Sequence, residues 1–486
     1  MDQDLAWWSE VVFDGWRHRS GPRYQRLAAA LLDAVDRRVV GTDARVPAER
    51  ALAAAVGVSR GTVVACFDHL VAAGVLRRQQ GAGTYIVGRP SWADRPAATG
   101  VAALLLRRRA GDLETINLAI SGPGDLRHLP PVDAQRAWAA LDGHGLDPTG
   151  LPELRAEVAR YLTEHQRLPT EPDQLVITAG GQEALWLLGR ALGPHSGALV
   201  TTCPTYPGLS SAFTGTGRRI VAVPTDAGGT DPSGIERAGG RAPGSVVYLM
   251  PTGHNPTGTV LTTIRRQAVA AIADAGRATI IEDLSLADLV LDGEPAPPPL
   301  AALSTRVVAV GSASKLLWGG LRIGWIRADE PIRAAVTDEK AAASLATSAL
   351  DQVITAQLLA AIGPDWLAAH RGALAGRRDH LVELLAAHLP AWRVQRPAAG
   401  LSMWIELPVE NADAFAHVAA RHGVRLAPGS TACVDGRHHQ FVRLSFTEQF
   451  DTLELAVERL AAAWEAYTQN VAAGPATSRR APGRRP

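Results

Sequence analysis

The chain contains 49 lysines and arginines, and only Lys315 and Lys340 are lysines. A surface cation can be either residue, but an amine that must lose its proton and attack a carbonyl cannot be an arginine. Lys315 lies in Gly311-Ser312-Ala313-Ser314-Lys315, followed by Trp318-Gly319-Gly320-Leu321-Arg322. A lysine there can form a Schiff base with a carbonyl cofactor such as pyridoxal phosphate (PLP). Lys340, in Asp338-Glu339-Lys340, reads as an ordinary survivor of the arginine bias. Ser312, Ser314 and Arg322 offer donors to a phosphate, and the planar fork of Arg322 suits a dianion. Thr178-Ala179-Gly180-Gly181-Gln182-Glu183 has the glycines that let backbone N–H groups approach a phosphate at a helix start. Asp283 suits a protonated pyridine nitrogen, Asn255 a phenolate and Tyr206 a ring face. Each also has a structural reading: a helix cap for Asp283, a common turn for Asn255, and local packing for Tyr206.

These residues need a scaffold that brings them together. From Ile116 onward, β-rich runs alternate with helical stretches. Leu175–Thr178, Ala198–Thr201, Ile220–Val223, Val246–Met250, Thr279–Glu282 and Val307–Val310 read as strands, and Glu183–Leu192 as a helix. Most runs lack polar alternation, as in a mostly parallel sheet covered on both faces. Such sheets bind ligands beyond the carboxyl ends of their strands, where every candidate above lies.

The front of the chain reads differently. Tyr24, Leu27, Leu31, Val35 and Val39 recur at helical spacing. Pro47 starts a short alanine-rich helix, Gly57 ends it, and Ser59 caps a second helix expected to bury Val63, Val64, Phe67, Leu70 and Val71. Two helices joined by a glycine turn form a helix-turn-helix pattern. Ser59, Arg60 and Thr62 in the first turn of the second helix are placed for a major groove, with Arg50 for a phosphate. Residues 74–87 read as two short strands turning at Gly81, a wing with Arg77 and Arg78 beside it. Spacing alone also admits a helical docking module.

Val46-Pro47-Ala48-Glu49-Arg50, Gly57-Val58-Ser59-Arg60-Gly61-Thr62-Val63 and Gly81-Ala82-Gly83-Thr84-Tyr85 resemble the winged helix of GntR-type bacterial regulators. Gly61 stands where that family often has threonine. Residues 114–470 resemble fold-type I aminotransferases, by the order of phosphate turn, aromatic, Asn, Asp, Lys and Arg. The combination resembles the MocR subfamily of PLP-dependent regulators. It implies a multidomain chain: an α+β winged helix-turn-helix at 18–88, a linker at 89–113, an α/β PLP domain at 114–470 with a small α+β C-terminal subdomain, and a disordered basic tail at 471–486. It implies PLP on Lys315, with the phosphate held by Gly180, Gly181, Gln182, Ser312, Ser314 and Arg322. It also implies Asn255 at the phenolic oxygen, Asp283 at the pyridine nitrogen, Tyr206 on the ring, and Arg443 clamping an effector carboxylate. Ser285 stands near the cofactor where aminotransferases usually have a tyrosine, and Cys203 where an acid is common. The resemblance further implies a head-to-tail homodimer that reads repeated half-sites on double-stranded DNA and responds to a small amino compound. The competing reading is a genuine aminotransferase with an N-terminal docking module.

The net charge of +1 predicts no chain-wide polyanion binder, so the basic groups must act locally. Cys66, Cys203 and Cys433 show no metal-ligand spacing, and no metal site is expected. With no membrane span and no signal-peptide core, a bacterial cytoplasmic protein, nucleoid-associated when on DNA, is expected.

Overall fold

The computed structural model describes residues 5–19, 21–36, 39–41, 44–72, 75–79, 83–87, 115–123, 126–193, 197–239, 244–276, 278–293 and 295–472. Gly81, the whole 89–113 linker and the tail beyond 472 lie outside the described residues. The chain divides into two compact units. One is Met1–Ala98 with Asn411–Val424 and Glu458–Pro486; the other is Thr99–Glu410 with Arg425–Val457. No single helix among the described residues is long and apolar enough to cross a membrane.

In the first unit, helices Arg23–Asp36, Glu49–Val56 and Arg60–Ala72 pack beside a three-stranded sheet. Gly57, at φ +71°, ends the middle helix in the left-handed conformation, which a glycine adopts without a Cβ clash. The Ser59 hydroxyl accepts the Thr62 N–H at 3.2 Å and so caps the next helix. That helix buries Val63, Cys66, Phe67 and Leu70, at i, i+3, i+4 and i+7. Cys66 takes the inward place expected of Val64, which is only partly covered; burial pushes its thiol up to about 12. The wing is an antiparallel pair, Leu76–Gln79 with Gly83–Ile86. The same core includes Trp7, Trp8, Phe13 and Trp16, a contribution the sequence reading missed. Helix Ala412–Arg421 belongs to this unit too. Its Arg421 pairs with Glu10 at 2.8 Å and Asp14 at 3.0 Å, and its Phe415 packs on Trp464 and Tyr467.

The second unit is built on a seven-stranded sheet in the order Leu175–Thr178, Gly324–Arg327, Val307–Ser312, Ala278–Asp283, Ser245–Leu249, Leu199–Thr202, Ile220–Val223. Gly324–Arg327 runs antiparallel to both neighbours, and it was not anticipated from sequence. Its register sets Gly324 between Thr178 and Ser312, at the carboxyl ends of two parallel strands. A Cβ on Gly324 would lie 2.7 Å from the Gly180 carbonyl carbon and 2.8 Å from the Gly311 oxygen. Only a glycine allows the three strands to close there. A smaller antiparallel sheet holds Arg393–Val394, Ser402–Glu406, Phe441–Ser445 and Ala427–Pro428.

Glu282 and Asp283 end one strand and point to opposite faces, as the period of two requires. Fully buried Glu282 accepts the Leu300 and Ala301 N–H groups at 2.9 Å each and lies 3.7 Å from Arg266. Burial raises its carboxyl, against the lowering effect of Arg266. Asp283 is left to the opposite face, where the candidate site lies.

Candidate functional site

The phosphate turn is built first. Gly180 has φ +96° and precedes helix Gly181–Ala191, whose first N–H groups are free of intrahelical partners by geometry. A Cβ on Gly180 would lie 2.8 Å from Arg322 Nη2. A Cβ on Gly181 would lie 3.6 Å from Ser285 Oγ and 3.7 Å from Ser312 Cβ. Gly180, Gly181, Ser285, Ser312 and Arg322 therefore share one small space. Arg322 donates to the Ala179 carbonyl at 2.5 Å, which aims its guanidinium along the turn. Ser312 caps the one-turn helix that carries Lys315, accepting the Ser314 N–H at 3.2 Å. The Ser314 hydroxyl is buried and without a partner among the described residues.

Lys315 donates to the Ser121 carbonyl at 2.5 Å. Burial first, and then Arg443 and Arg322, push its ammonium down to about 8, against the raising effect of Asp283. A substantial fraction of this amine is therefore neutral near physiological pH, unlike an exposed lysine. Asp283 accepts the Tyr248 hydroxyl at 2.7 Å and the Ser285 N–H at 2.9 Å. Tyr206 donates to Gln182 Oε1 at 2.9 Å, and Gln182 Nε2 donates to the Gly208 carbonyl at 3.0 Å. Burial, with Asp283 adding to it, pushes the Tyr206 phenol up to about 12. The Gln182 side chain is thus committed to the Tyr206 loop, while its backbone remains in the first turn of the helix. Asn255 Oδ1 accepts Arg443 Nη1 at 3.0 Å, and Arg443 Nη2 donates to the Ala119 carbonyl at 2.6 Å. Arg443 Nε is buried with no partner among the described residues, and burial lowers the guanidinium to about 10.

Three contributors were missed from sequence. Tyr248 hides in an aliphatic strand run, where only its hydroxyl, a group that needs a partner when buried, signals a role. The 119–121 segment supplies carbonyls to both Lys315 and Arg443; nothing in its composition marks it. Lys340 is the third. It is fully buried, not solvated, and reaches Glu183 and Ser344 at 3.4 Å. Glu183 in turn accepts the Ala179 N–H at 2.5 Å. Lys340 thus braces the back of the phosphate turn; its buried ammonium needs an acceptor, and the half-buried Glu183 supplies one.

The donor set suits a phosphorylated pyridine aldehyde. A helix start with Arg322 and the unpartnered Ser314 hydroxyl suit a dianion, Asp283 a ring nitrogen, and the depressed Lys315 amine an aldehyde. The buried, unpartnered Arg443 Nε suits a carboxylate.

On the first unit, Arg50, Ser59, Arg60, Arg77 and Arg78 are exposed and Thr62 partly so. Ser59 and Thr62 hydroxyls bond each other at 2.9 Å. Arg60 pairs with Glu49 at 3.3 Å, and Arg78 with Asp68 at 2.6 Å and Glu49 at 3.5 Å. Arg45, Arg50, Arg60 and Gly83 line a groove of about 470 Å³.

A winged helix on the same chain as an aminotransferase-type cleft defines a class of two-part DNA-binding proteins. Residues 115–460 match the aminotransferase class I and II family, and residues 23–86 match the gntR family of bacterial regulatory proteins. The chain belongs to the aminotransferase class I and II family, with the GntR-type front end of the MocR regulators. It is 29% identical to the uncharacterized HTH-type transcriptional regulator YisV of Bacillus subtilis, over 84% of this chain and 88% of that one. It is 30% identical to the HTH-type pyridoxine biosynthesis transcriptional regulator PdxR of Corynebacterium glutamicum, over 59% of this chain and 61% of that one. Among solved structures, the α-aminoadipate aminotransferase LysN of Thermus thermophilus, complexed with N-(5'-phosphopyridoxyl)-L-leucine, superposes with a TM-score of 0.68. It is 25% identical, covering 76% of this chain and 96% of LysN.

Proposed function

We propose that this chain is a transcriptional regulator that holds PLP on Lys315 and converts occupancy of the cleft into altered DNA binding. The observation that carries the reading is a half-buried lysine, its amine depressed and set beside Asp283, Arg322 and Arg443, on a chain with a winged helix ahead of it. PLP, when bound, supplies an aldehyde carbon to amines and an electron-withdrawing ring. Lys315 supplies the neutral amine that holds it. Asp283, oriented by Tyr248 and the Ser285 N–H, keeps a proton on the ring nitrogen. Gly180, Gly181, the Gln182 backbone, Ser312, Ser314 and Arg322 hold the phosphate, with Ser285 beside them. Tyr206 covers the ring and Asn255 meets the phenolic oxygen. Arg443 exchanges its bonds to Ala119 and Asn255 for the carboxylate of an amino-compound effector. That exchange is the differential contact an allosteric switch needs.

Arg50, Ser59, Arg60, Thr62, Arg77 and Arg78, with Gly81, meet double-stranded DNA, and nucleoid association follows from that. The regulator acts as a head-to-tail homodimer reading repeated half-sites; exposed Trp138 at 69% and Leu146 at 64% are apolar surface for a second copy to cover. Two measurements on one preparation test the reading. The visible band of bound PLP, fixed by borohydride, should map to the Lys315 peptide. A footprint on DNA upstream of the coding region should change when PLP or an amino acid is added. A colourless protein after PLP incubation overturns the cofactor half. Vigorous transamination with a footprint blind to both ligands would instead favour an enzyme with a docking module.

A further inference from the structure

A second cluster of reactive side chains stands apart from the cofactor residues. Cys203 follows strand Leu199–Thr202, and Cys433, Asp435 and His438 lie between the turn Gly429–Thr431 and strand Phe441–Ser445. One donor atom from each lies within 4.8 Å of all the others. The two sulfurs are 3.3 Å apart. His438 Nδ1 is 3.5 Å from each sulfur. Asp435 Oδ1 is 2.9 Å from Cys203 Sγ and 3.3 Å from Cys433 Sγ. A tetrahedral zinc with sulfur at about 2.3 Å and nitrogen or oxygen at about 2.0–2.1 Å sets S···S near 3.8 Å and S···N near 3.6 Å. The sulfur–nitrogen edges already match; the sulfur–sulfur edge needs to open by about 0.5 Å and the two sulfur–oxygen edges by about 0.7 and 0.3 Å.

The surroundings are those of a ligand shell. The Arg437 N–H donates to Cys433 Sγ at 3.1 Å, which favours a thiolate. Arg437 Nε donates to Asp435 Oδ2 at 2.6 Å, leaving Oδ1 turned to the sulfurs. The His438 ring packs against Trp404 and Phe441, with centroids at 6.1 and 5.4 Å, which fixes its orientation. The Thr205 N–H donates to the Ala432 carbonyl at 2.9 Å and holds the two loops in register. Cys203 is buried while Asp435 is exposed, so an ion enters from the carboxylate side. Two thiolates and a carboxylate carry three negative charges; a divalent ion and Arg437 neutralise them.

We propose that Cys203, Cys433, Asp435 and His438 form a four-ligand structural site for a zinc-type divalent cation. Two thiolates and an imidazole in tetrahedral array select such an ion over magnesium or calcium. Four protein ligands leave no open position, so the role is structural. The ion ties the loop leading to Tyr206, three residues beyond Cys203, to the strand carrying Arg443. It thereby stiffens both walls of the cleft. The expectation from spacing alone, that the cysteines bind no metal, is replaced by this proposal, since 230 residues separate the two sulfurs in the chain but not in the fold.

The test uses full-length, tag-free protein prepared under reducing conditions without chelator. Elemental analysis should find stoichiometric zinc. Cobalt(II) exchange should give intense tetrahedral visible bands with a sulfur-to-metal charge-transfer band. Cys433→Ser should lose that charge-transfer intensity and retain substoichiometric zinc. Asp435→Asn and His438→Gln, milder changes that keep the volume of the side chains, should shift the cobalt spectrum. Arg437→Ala should weaken zinc about 10–100-fold through the outer shell. A PLP band of native intensity in each variant verifies folding. Reduced wild-type protein that takes up neither metal overturns the proposal without any variant. So does a Cys203–Cys433 disulfide that persists in protein isolated and kept under reducing conditions, because the site then stores a cross-link and not an ion.

Discussion

The recognition face of the winged helix and the cofactor cleft both rely on arginine, but they hold it in opposite ways. Arg60 and Arg78 are exposed and rest on Glu49 and Asp68. Such surface pairs are worth about 0–1 kcal/mol, so they yield readily to DNA phosphates. Arg322 and Arg443 are fixed by backbone carbonyls, and Arg443 is buried as well. The desolvation of Arg443 has already been met by folding, so a small anion finds there a donor that needs little reorganisation. The lesson is that one residue type serves a polymer by being loosely held and a small ligand by being tightly held.

The most severe test of the cleft side is Lys315→Ala, which should abolish borohydride-stable PLP; Lys315→Arg should do the same despite keeping a cation. Covalent PLP in either variant places the chemistry elsewhere. Next in size, Arg266→Met should lower stability by about 3–5 kcal/mol, because it strands the buried Glu282; denaturant unfolding measures it, and a neutral result would show that Leu300 and Ala301 N–H groups suffice. On the other side of the comparison, Arg60→Ala should weaken operator affinity by about 1–3 kcal/mol, read by titration at fixed salt. An unchanged affinity removes Arg60 from the interface. The rate of PLP capture should rise about tenfold per pH unit below pH 8 and level off above it, since only the neutral Lys315 amine attacks. A profile still climbing toward pH 10 would mean that the amine titrates like an exposed lysine. Smallest of all, Glu49→Gln should release Arg60, leave Arg78 on Asp68 alone, and tighten non-specific DNA binding by a few tenths of a kcal/mol. Weaker binding would mean that Glu49 orients those arginines for DNA.

Much of this was legible in one dimension. Gly57 and Ser59 mark a helix end and a helix start through local backbone chemistry, and the strand runs from Leu175 to Val310 lack polar alternation because both faces are covered. The order of Tyr206, Asn255, Asp283, Lys315 and Arg322 could be read because Tyr206, Asn255 and Lys315 follow strands, Asp283 ends one and Arg322 leads into one. Other features were hidden by the same logic. Gly324–Arg327 is a short strand without apolar alternation, and its placement depends on two long-range pairings. Trp7, Trp8 and Trp16 precede any periodic pattern, so their burial in the winged-helix core left no local trace. Lys340 carried the composition of a surface helix and lies at 0% exposure because Glu183 faces it across 157 residues.

By itself the sequence determined the parts and their order: a helix-turn-helix, a mostly parallel α/β domain, and a lysine set just past a strand end. Those features depend on neighbours a few residues apart, whose sterics and hydrogen bonds act in any context. Tertiary structure alone decided what meets what. It set Tyr248 against Asp283, the 119–121 carbonyls against Lys315 and Arg443, and Cys203 against Cys433, Asp435 and His438. Such meetings depend on strand register and loop approach, which the whole packed core sets and no local stretch of chain encodes.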